Sequence, residues 1–167
     1  MQKRLIIYDV DAPDGQDFFP ADGDTLTFPA APAVHHCIGC FGCWTKTPGK
    51  CVIKDRASVL PAWIAQCGEL ILVSPILYGG FSRNVKAALD RSIGYLLPYF
   101  RIVNGEMHHQ MRHENPFKLT ACFYGPCGEA EREIAGRLVR ANAVNFGAGS
   151  CSVEFFDTAQ ALREAVL

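Results

Sequence analysis

The chain has 167 residues, enough for one domain with a full buried core, and its 49% hydrophobic and 20% charged content excludes a disordered segment. A net charge of -1 with no basic run leaves no electrostatic footprint for nucleic acid or an anionic membrane surface. The apolar run Leu5–Tyr8 is too short for a secretory signal, and Leu70–Val73 with its extension Pro75–Tyr78 is far short of a membrane span. Eight cysteines without an export signal point to a reducing cytoplasm, with the thiols free or metal-bound.

Short apolar runs alternate with helical patterns, the arrangement of an open parallel sheet covered by helices on both faces. The chain therefore reads as a single α/β domain, residues 1–167. Arg4–Val10 is the first expected strand and Thr25–Phe28 a weaker second. Between them, DVDAPDGQDFFPADGD carries six aspartates (Asp9, Asp11, Asp14, Asp17, Asp22 and Asp24) together with Pro13 and Pro20, so a first helix here is short or missing.

Next comes CIGCFGCWTKTPGKC, which places Cys37, Cys40, Cys43 and Cys51 in a C-x2-C-x2-C-x7-C run. Gly39 and Gly42 let a tight loop turn three thiols inward, and the Thr47-Pro48-Gly49 turn returns the fourth. Four thiolates suit a cubane iron–sulfur cluster. Zinc takes the same sulfurs tetrahedrally, although its knuckles are more often two separated pairs. Small, mostly buried loop cysteines without any metal are the plainest alternative. His35 and His36, just before the run, are either neighbours of such a centre or the end of a strand.

Asp55 is the expected N-cap of a helix over Arg56–Gln66, bent or shortened by Pro61. Glu69–Ser74 reads as a buried central strand. Ser82 caps a helix running to about Leu97, with Val85, Ala88, Leu89, Ile93 and Leu96 on one face. Residues 98–117 read as a long connection. Within it, His109 and His113 have the i, i+4 spacing of a helical metal pair, but Gly105 and Pro116 bracket a stretch that need not be helical. Solvated loop histidines, or a histidine folded over a ligand mouth as a proton donor, are the alternatives. Lys118–Tyr124 is a further strand. Gly128–Asn145 is the strongest helix, with Glu129, Glu131 and Glu133 at its positive end. Ser150–Phe156 closes the set of strands, and Thr158 opens a short last helix. Cys67, Cys122 and Cys151 read as packing. Cys127, at a helix start, is either a reactive thiol or a small turn residue.

Ligands of such sheets sit beyond the carboxyl ends of the strands, where strand order reverses. The segment from Asp9, Pro75–Ser82 and Gly125–Gly128 should therefore share one mouth. Gly79 and Gly80 let the backbone approach a flat ligand that Tyr78 and Phe81 could cover; an ordinary turn with two tucked aromatics is the equal alternative.

The C-x-G-C-x-x-C loop and the later SP-x-x-YGG-x-S-x-x-x-K-x-x-x-DR stretch together resemble the flavodoxin-like NAD(P)H-dependent FMN reductase family, nearest its iron–sulfur flavoprotein branch, from His36 to about Phe156. The resemblance implies a flavodoxin-like three-layer fold. It implies FMN with its ring lined by Pro75, Ile76, Leu77, Tyr78, Gly79, Gly80, Phe81 and Ser82, and flanked by Tyr124, Gly125, Pro126 and Cys127. Electrons would pass from NAD(P)H to a small-molecule or protein acceptor, with an iron–sulfur cluster on the four-cysteine loop. A homodimer packed near Tyr95–Phe100 is also implied. Lys86, Asp90 and Arg91 match the family's helix, the last two as structural residues. One departure stands out. The family holds the FMN phosphate in a Ser/Thr-rich loop after the first strand, and here the acidic segment has no lysine, arginine, serine or threonine. The phosphate is then held elsewhere, for instance by Arg83 or a partner subunit, or another flat ligand has replaced FMN, or the flavin site is lost. The competing readings are an iron–sulfur electron carrier and a flavin-free binding domain. NAD(P)H use rests on the resemblance alone, since no G-x-G-x-x-G is present.

Overall fold

The computed structural model describes residues 3–10 and 18–166. In chain order the elements are β1 (Lys3–Tyr8), β2 (Thr25–Pro29), α1 (Gly42–Thr45), α2 (Leu60–Ile64), β3 (Cys67–Pro75) and α3 (Arg83–Arg91). They continue with β4 (Leu96–Val103), β5 (Glu106–Met111), β6 (Lys118–Tyr124), α4 (Glu129–Phe146), β7 (Ser150–Phe156) and α5 (Ala159–Val166). Five strands form one parallel sheet in the order β2-β1-β3-β6-β7. Counted within the sheet alone, that is the flavodoxin-like arrangement, with its reversal between β1 and β3.

The period-two alternation of the strands divides the core. Leu5, Ile7, Leu70, Leu72, Leu119 and Phe123 face one side, under residues of α2, α3 and α4 such as Leu60, Val85 and Val139. Ile6, Tyr8, Ile71, Val73 and Cys122 face the other, under Leu162 and Val166 of α5. β3 lies between, and its run Leu70–Val73 is buried on both faces, which is why it reads as a continuous apolar stretch. Among the described residues of the β1–β2 connection, 18–24, there is no helix. Phe19 is fully buried against Tyr8 at 5.3 Å and covers that face instead. Asp22 serves the turn: its Oδ1 accepts from the backbone N–H groups of Asp24 and Thr25 at 2.8 and 2.6 Å. Asp11, Pro13, Asp14 and Asp17 lie outside the described residues. No helix among the described residues is long and apolar enough to cross a membrane.

Three expectations change. The helix capped by Ser82 ends at Arg91 and not near Leu97. Ser92 Oγ donates back to the Ala88 carbonyl at 2.9 Å, and a 3-10 turn, Ile93–Tyr95, leads into β4. Gly94 in that turn lies under the cysteine loop so closely that an added Cβ would sit 3.2 Å from the Gly49 carbonyl carbon and 3.3 Å from Cys43 Cβ. Pro98 also opposes a continued helix.

Residues 98–117 are no open connection. β4 and β5 form an antiparallel hairpin reversed at Asn104-Gly105, with φ of 51° and 83°. Asn-Gly with both residues left-handed is the type I′ hairpin turn. Finally, the segment after Asp55 divides into a 3-10 turn, Arg56–Val59, and the short α2. Asp55 is the cap, accepting from the Ala57 N–H at 3.1 Å, and Pro61 sits in the first turn of α2, where its missing N–H is no loss.

Candidate functional site

The four cysteines of the loop converge. Cys37, Cys40, Cys43 and Cys51 line one cavity of about 250 Å³, walled further by Phe41, Trp44, Ile53 and the end of α3. Two left-handed residues, Gly39 at φ 64° and Phe41 at φ 55°, reverse the chain between the first and third cysteine. The Gly49 N–H donates to the Cys43 carbonyl at 2.9 Å and Thr47 Oγ to the Lys50 carbonyl at 2.7 Å, which closes the return to Cys51. Burial pushes the Cys43 thiol above its ordinary pKa, and the Cys51, Cys37 and Cys40 thiols add to the shift. Among the described residues no group of three His, Cys, Asp or Glu side chains is set to hold a single metal ion. Tetrahedral zinc needs all four sulfurs at ~2.3 Å from one atom, whereas a multi-iron body accepts sulfurs standing further apart. Four thiols around one cavity are the donor set a cubane cluster takes, and zinc takes the same set.

Arg91, at the end of α3, ties this loop to that helix. Its side chain is wholly buried, and its guanidinium forms a two-pronged pair with Asp55: Nη2 to Oδ1 at 2.7 Å and Nη1 to Oδ2 at 2.8 Å. Nη1 also donates to the His35 carbonyl at 2.7 Å, Nη2 to the Ile53 carbonyl at 3.1 Å, and Nε to Cys51 Sγ at 3.3 Å. All five donors are thus used, as a buried guanidinium requires. Hydrogen bonds from Arg91 hold the Asp55 carboxyl below the usual carboxylate range. Arg91 is held as a structural residue would be, but its oxygen partners were not legible: they stand before and after the cysteine run.

The described ends of β1, β3 and β6 lie side by side, while residues 11–17 of the first nominated segment lie outside the described residues. Asp9, Asn84 and Tyr124 join the three nominated segments. Asn84 Nδ2 donates to Asp9 Oδ1 at 3.2 Å, and Tyr124 Oη to the Asp9 carbonyl at 2.8 Å. Ile76 N–H donates to the Tyr124 carbonyl at 3.0 Å. Leu77 and Gly80 exchange backbone hydrogen bonds across a turn made by Tyr78 and Gly79, at φ 52° and 76°. Gly79 leans on α4, where an added Cβ would lie 2.7 Å from Ile134 Cβ. Tyr78 is 93% exposed, while Phe81 stacks on Phe123 at 4.9 Å. Ser82 closes the loop: its N–H donates to Ser74 Oγ at 2.8 Å, and its Oγ accepts from the Val85 N–H. Gly125, at φ 102°, donates to the Phe156 carbonyl, with Pro126 and half-buried Cys127 following before α4. For a flavin phosphate the described part of the β1–β2 connection offers no cation or hydroxyl, and Arg83 stands exposed at the start of α3.

A larger cavity of about 570 Å³ opens between α3, α4 and the hairpin. Gly80 and Phe81 of the mouth line it, and it shares Asp90 and Ile93 with the cysteine cavity. His109, on β5, also lines it, between Trp44 at 4.9 Å and Phe100 at 4.9 Å. His109 and His113 are therefore not a helical metal pair. His109 is half-buried on a strand, and His113 lies beyond it, against Tyr95 at 6.0 Å. Tyr95 itself is core, whereas Tyr99 and Phe100 are exposed. Cys67 and Cys122 are buried packing residues, and burial pushes each thiol up to about 12.

No family model matches the chain. One partial counterpart does. The chain is distantly similar to an iron–sulfur flavoprotein of Methanocaldococcus jannaschii. The two are 39% identical over 56 residues, 34% of this chain and 28% of that protein. The chain thus spans well under a third of the length of the iron–sulfur flavoprotein it matches.

Proposed function

We propose that this chain is a redox domain of the iron–sulfur flavoprotein kind, with a cluster on Cys37, Cys40, Cys43 and Cys51 and FMN at the sheet mouth. One observation carries this reading: four cysteines drawn around a single cavity and fastened to α3 by a buried, fully bonded arginine. The partial likeness to an iron–sulfur flavoprotein supports it. When bound, a cluster supplies one-electron transfer and a flavin supplies two-electron acceptance. The chain's own part is placement. The cysteine loop provides thiolates, Ile38 and Phe41 keep an apolar rim, and Pro75–Ser82 with Tyr124–Cys127 shape the ring side of the mouth. NAD(P)H is the proposed donor and a small molecule or protein the acceptor, in the cytoplasm.

A second reading, an iron–sulfur electron carrier without flavin, is favoured by the lack of phosphate-binding side chains in residues 18–24. One experiment separates the two. Protein purified without oxygen is analysed for iron, acid-labile sulfide and FMN, then titrated with FMN. Iron, sulfide and flavin together support the first reading; iron and sulfide with no flavin uptake support the second. A colourless chain with neither removes both.

We further propose a homodimer in which the hairpin, with its exposed Tyr99, Phe100, Ile102 and Met107, is covered by the second copy. A strictly monomeric mass by light scattering removes that proposal.

A further inference from the structure

The five donors of Arg91 are unequally divided. Four go to oxygen, on Asp55, His35 and Ile53, and the fifth, Nε–H, goes to Cys51 Sγ at 3.3 Å. The carboxylate meets the Nη edge, so the buried guanidinium stands between Asp55 on one side and Cys51 on the other. Among the described residues, Cys51 is the one member of the four whose sulfur accepts a side-chain N–H. The cavity is therefore electrostatically lopsided at one corner.

Reduction adds negative charge to a cluster and its sulfurs. A donor N–H and a cation at a ligating sulfur favour that charge, and a carboxylate behind them opposes it. The Arg91 guanidinium is wholly buried and Cys51 is partly so, and salt screens a pair placed there less than it screens two exposed charges. Resting on the cluster reading above, we propose that Arg91 is a positioning residue that raises the reduction potential of the centre through its Nε–H···Sγ bond to Cys51, with Asp55 as the opposing charge.

The test uses the full chain, loaded anaerobically with iron and sulfide, counted for both, and titrated with dithionite under EPR and optical readout. Arg91→Lys loses the directed Nε–H, and its midpoint is expected to fall. Asp55→Asn keeps an acceptor for the Ala57 N–H and leaves the bond to Cys51 in place, and its midpoint is expected to rise. A purely structural clamp gives no reason for opposite signs. Loaded variants that keep the wild-type midpoint, or that shift in the same direction, overturn the inference and leave the cluster reading standing. Where Arg91→Lys takes up no iron, Asp55→Asn decides alone: a rise supports the inference, and no shift or a fall overturns it. An Asp55→Asn chain that also fails to load reduces the pair to a scaffold and overturns it too. A wild-type chain that binds neither iron nor sulfide removes the cluster reading together with this inference.

Discussion

The indole of Trp44 lies 4.9 Å from the imidazole of His109, and its Nε1–H donates to the Leu96 carbonyl at 2.9 Å. One side chain of the short cysteine-loop helix thereby grips both strands of the hairpin. Trp44→Ala removes that bond and the stack on Phe41. Because Trp44 is only half-buried, the expected loss is roughly 2 kcal/mol, below the ~3–5 of a fully buried aromatic. Hydrogen exchange should quicken across 96–111 while β3 and β6 keep their protection. Unchanged exchange in the hairpin would show that the indole does not hold it.

Gly79 and Gly105 separate two costs that usually travel together. Both are left-handed, at φ 76° and 83°, but an added Cβ meets Ile134 Cβ and the Glu131 carbonyl at Gly79 and nothing at Gly105. Gly105→Ala should cost about 1 kcal/mol from backbone strain alone. Gly79→Ala adds a collision with α4 and should cost on the order of 3 kcal/mol. Urea unfolding of the two variants compares them, and equal losses would mean that the mouth loop shifts freely on α4.

Acid should weaken the fold partly through Asp55. Its folded pKa lies below the unfolded value because Arg91 bonds its carboxylate. The stabilisation is present above the unfolded value of ~3.9 and is lost as pH falls through the folded one, where the unfolded chain binds the extra proton. Asp22 shifts the same way through the backbone N–H groups of Asp24 and Thr25. Asp55→Asn should therefore flatten part of the slope of stability against pH below about 4, not all of it. A slope identical to the wild type would place the pair outside the folding equilibrium.

Alkali should weaken it from the other side. Burial pushes Cys67, Cys122 and Tyr95 each up to about 12. Their stabilising effect is complete below the unfolded values, ~8.5 for a thiol and ~10 for tyrosine, and fades as pH climbs through the folded ones. The double variant Cys67→Ala, Cys122→Ala should lose about two protons' worth of slope between roughly pH 9 and 10.5. Unfolding midpoints followed across that window would show it.

The sheet was legible because its strands are buried on both faces and stand out as apolar runs such as ELILVS between a glycine and a proline. The hairpin was not, since Leu89, Ile93 and Leu96 continue the helical spacing of α3 and mask the point where the chain turns extended. Asn104-Gly105 was the local signal that outweighed them. The grouping of the four cysteines around one cavity was readable because they stand close along the chain with glycines between them. The hold of Arg91 on that site was hidden by distance along the chain, its partners being 36 to 56 positions away.

That same separation sets an order of assembly. The loop thiols are synthesised well before α3, yet the cavity they line has no wall on the α3 side until the crossover after β3 is complete and Arg91 has docked. Contacts this remote form late, because the intervening chain must close first. On the proposed cluster reading, loading of the centre is expected to follow docking of α3. A nascent chain carries its cysteines as unprotected thiols for that interval, and a fragment ending at Pro75 is expected to retain no iron.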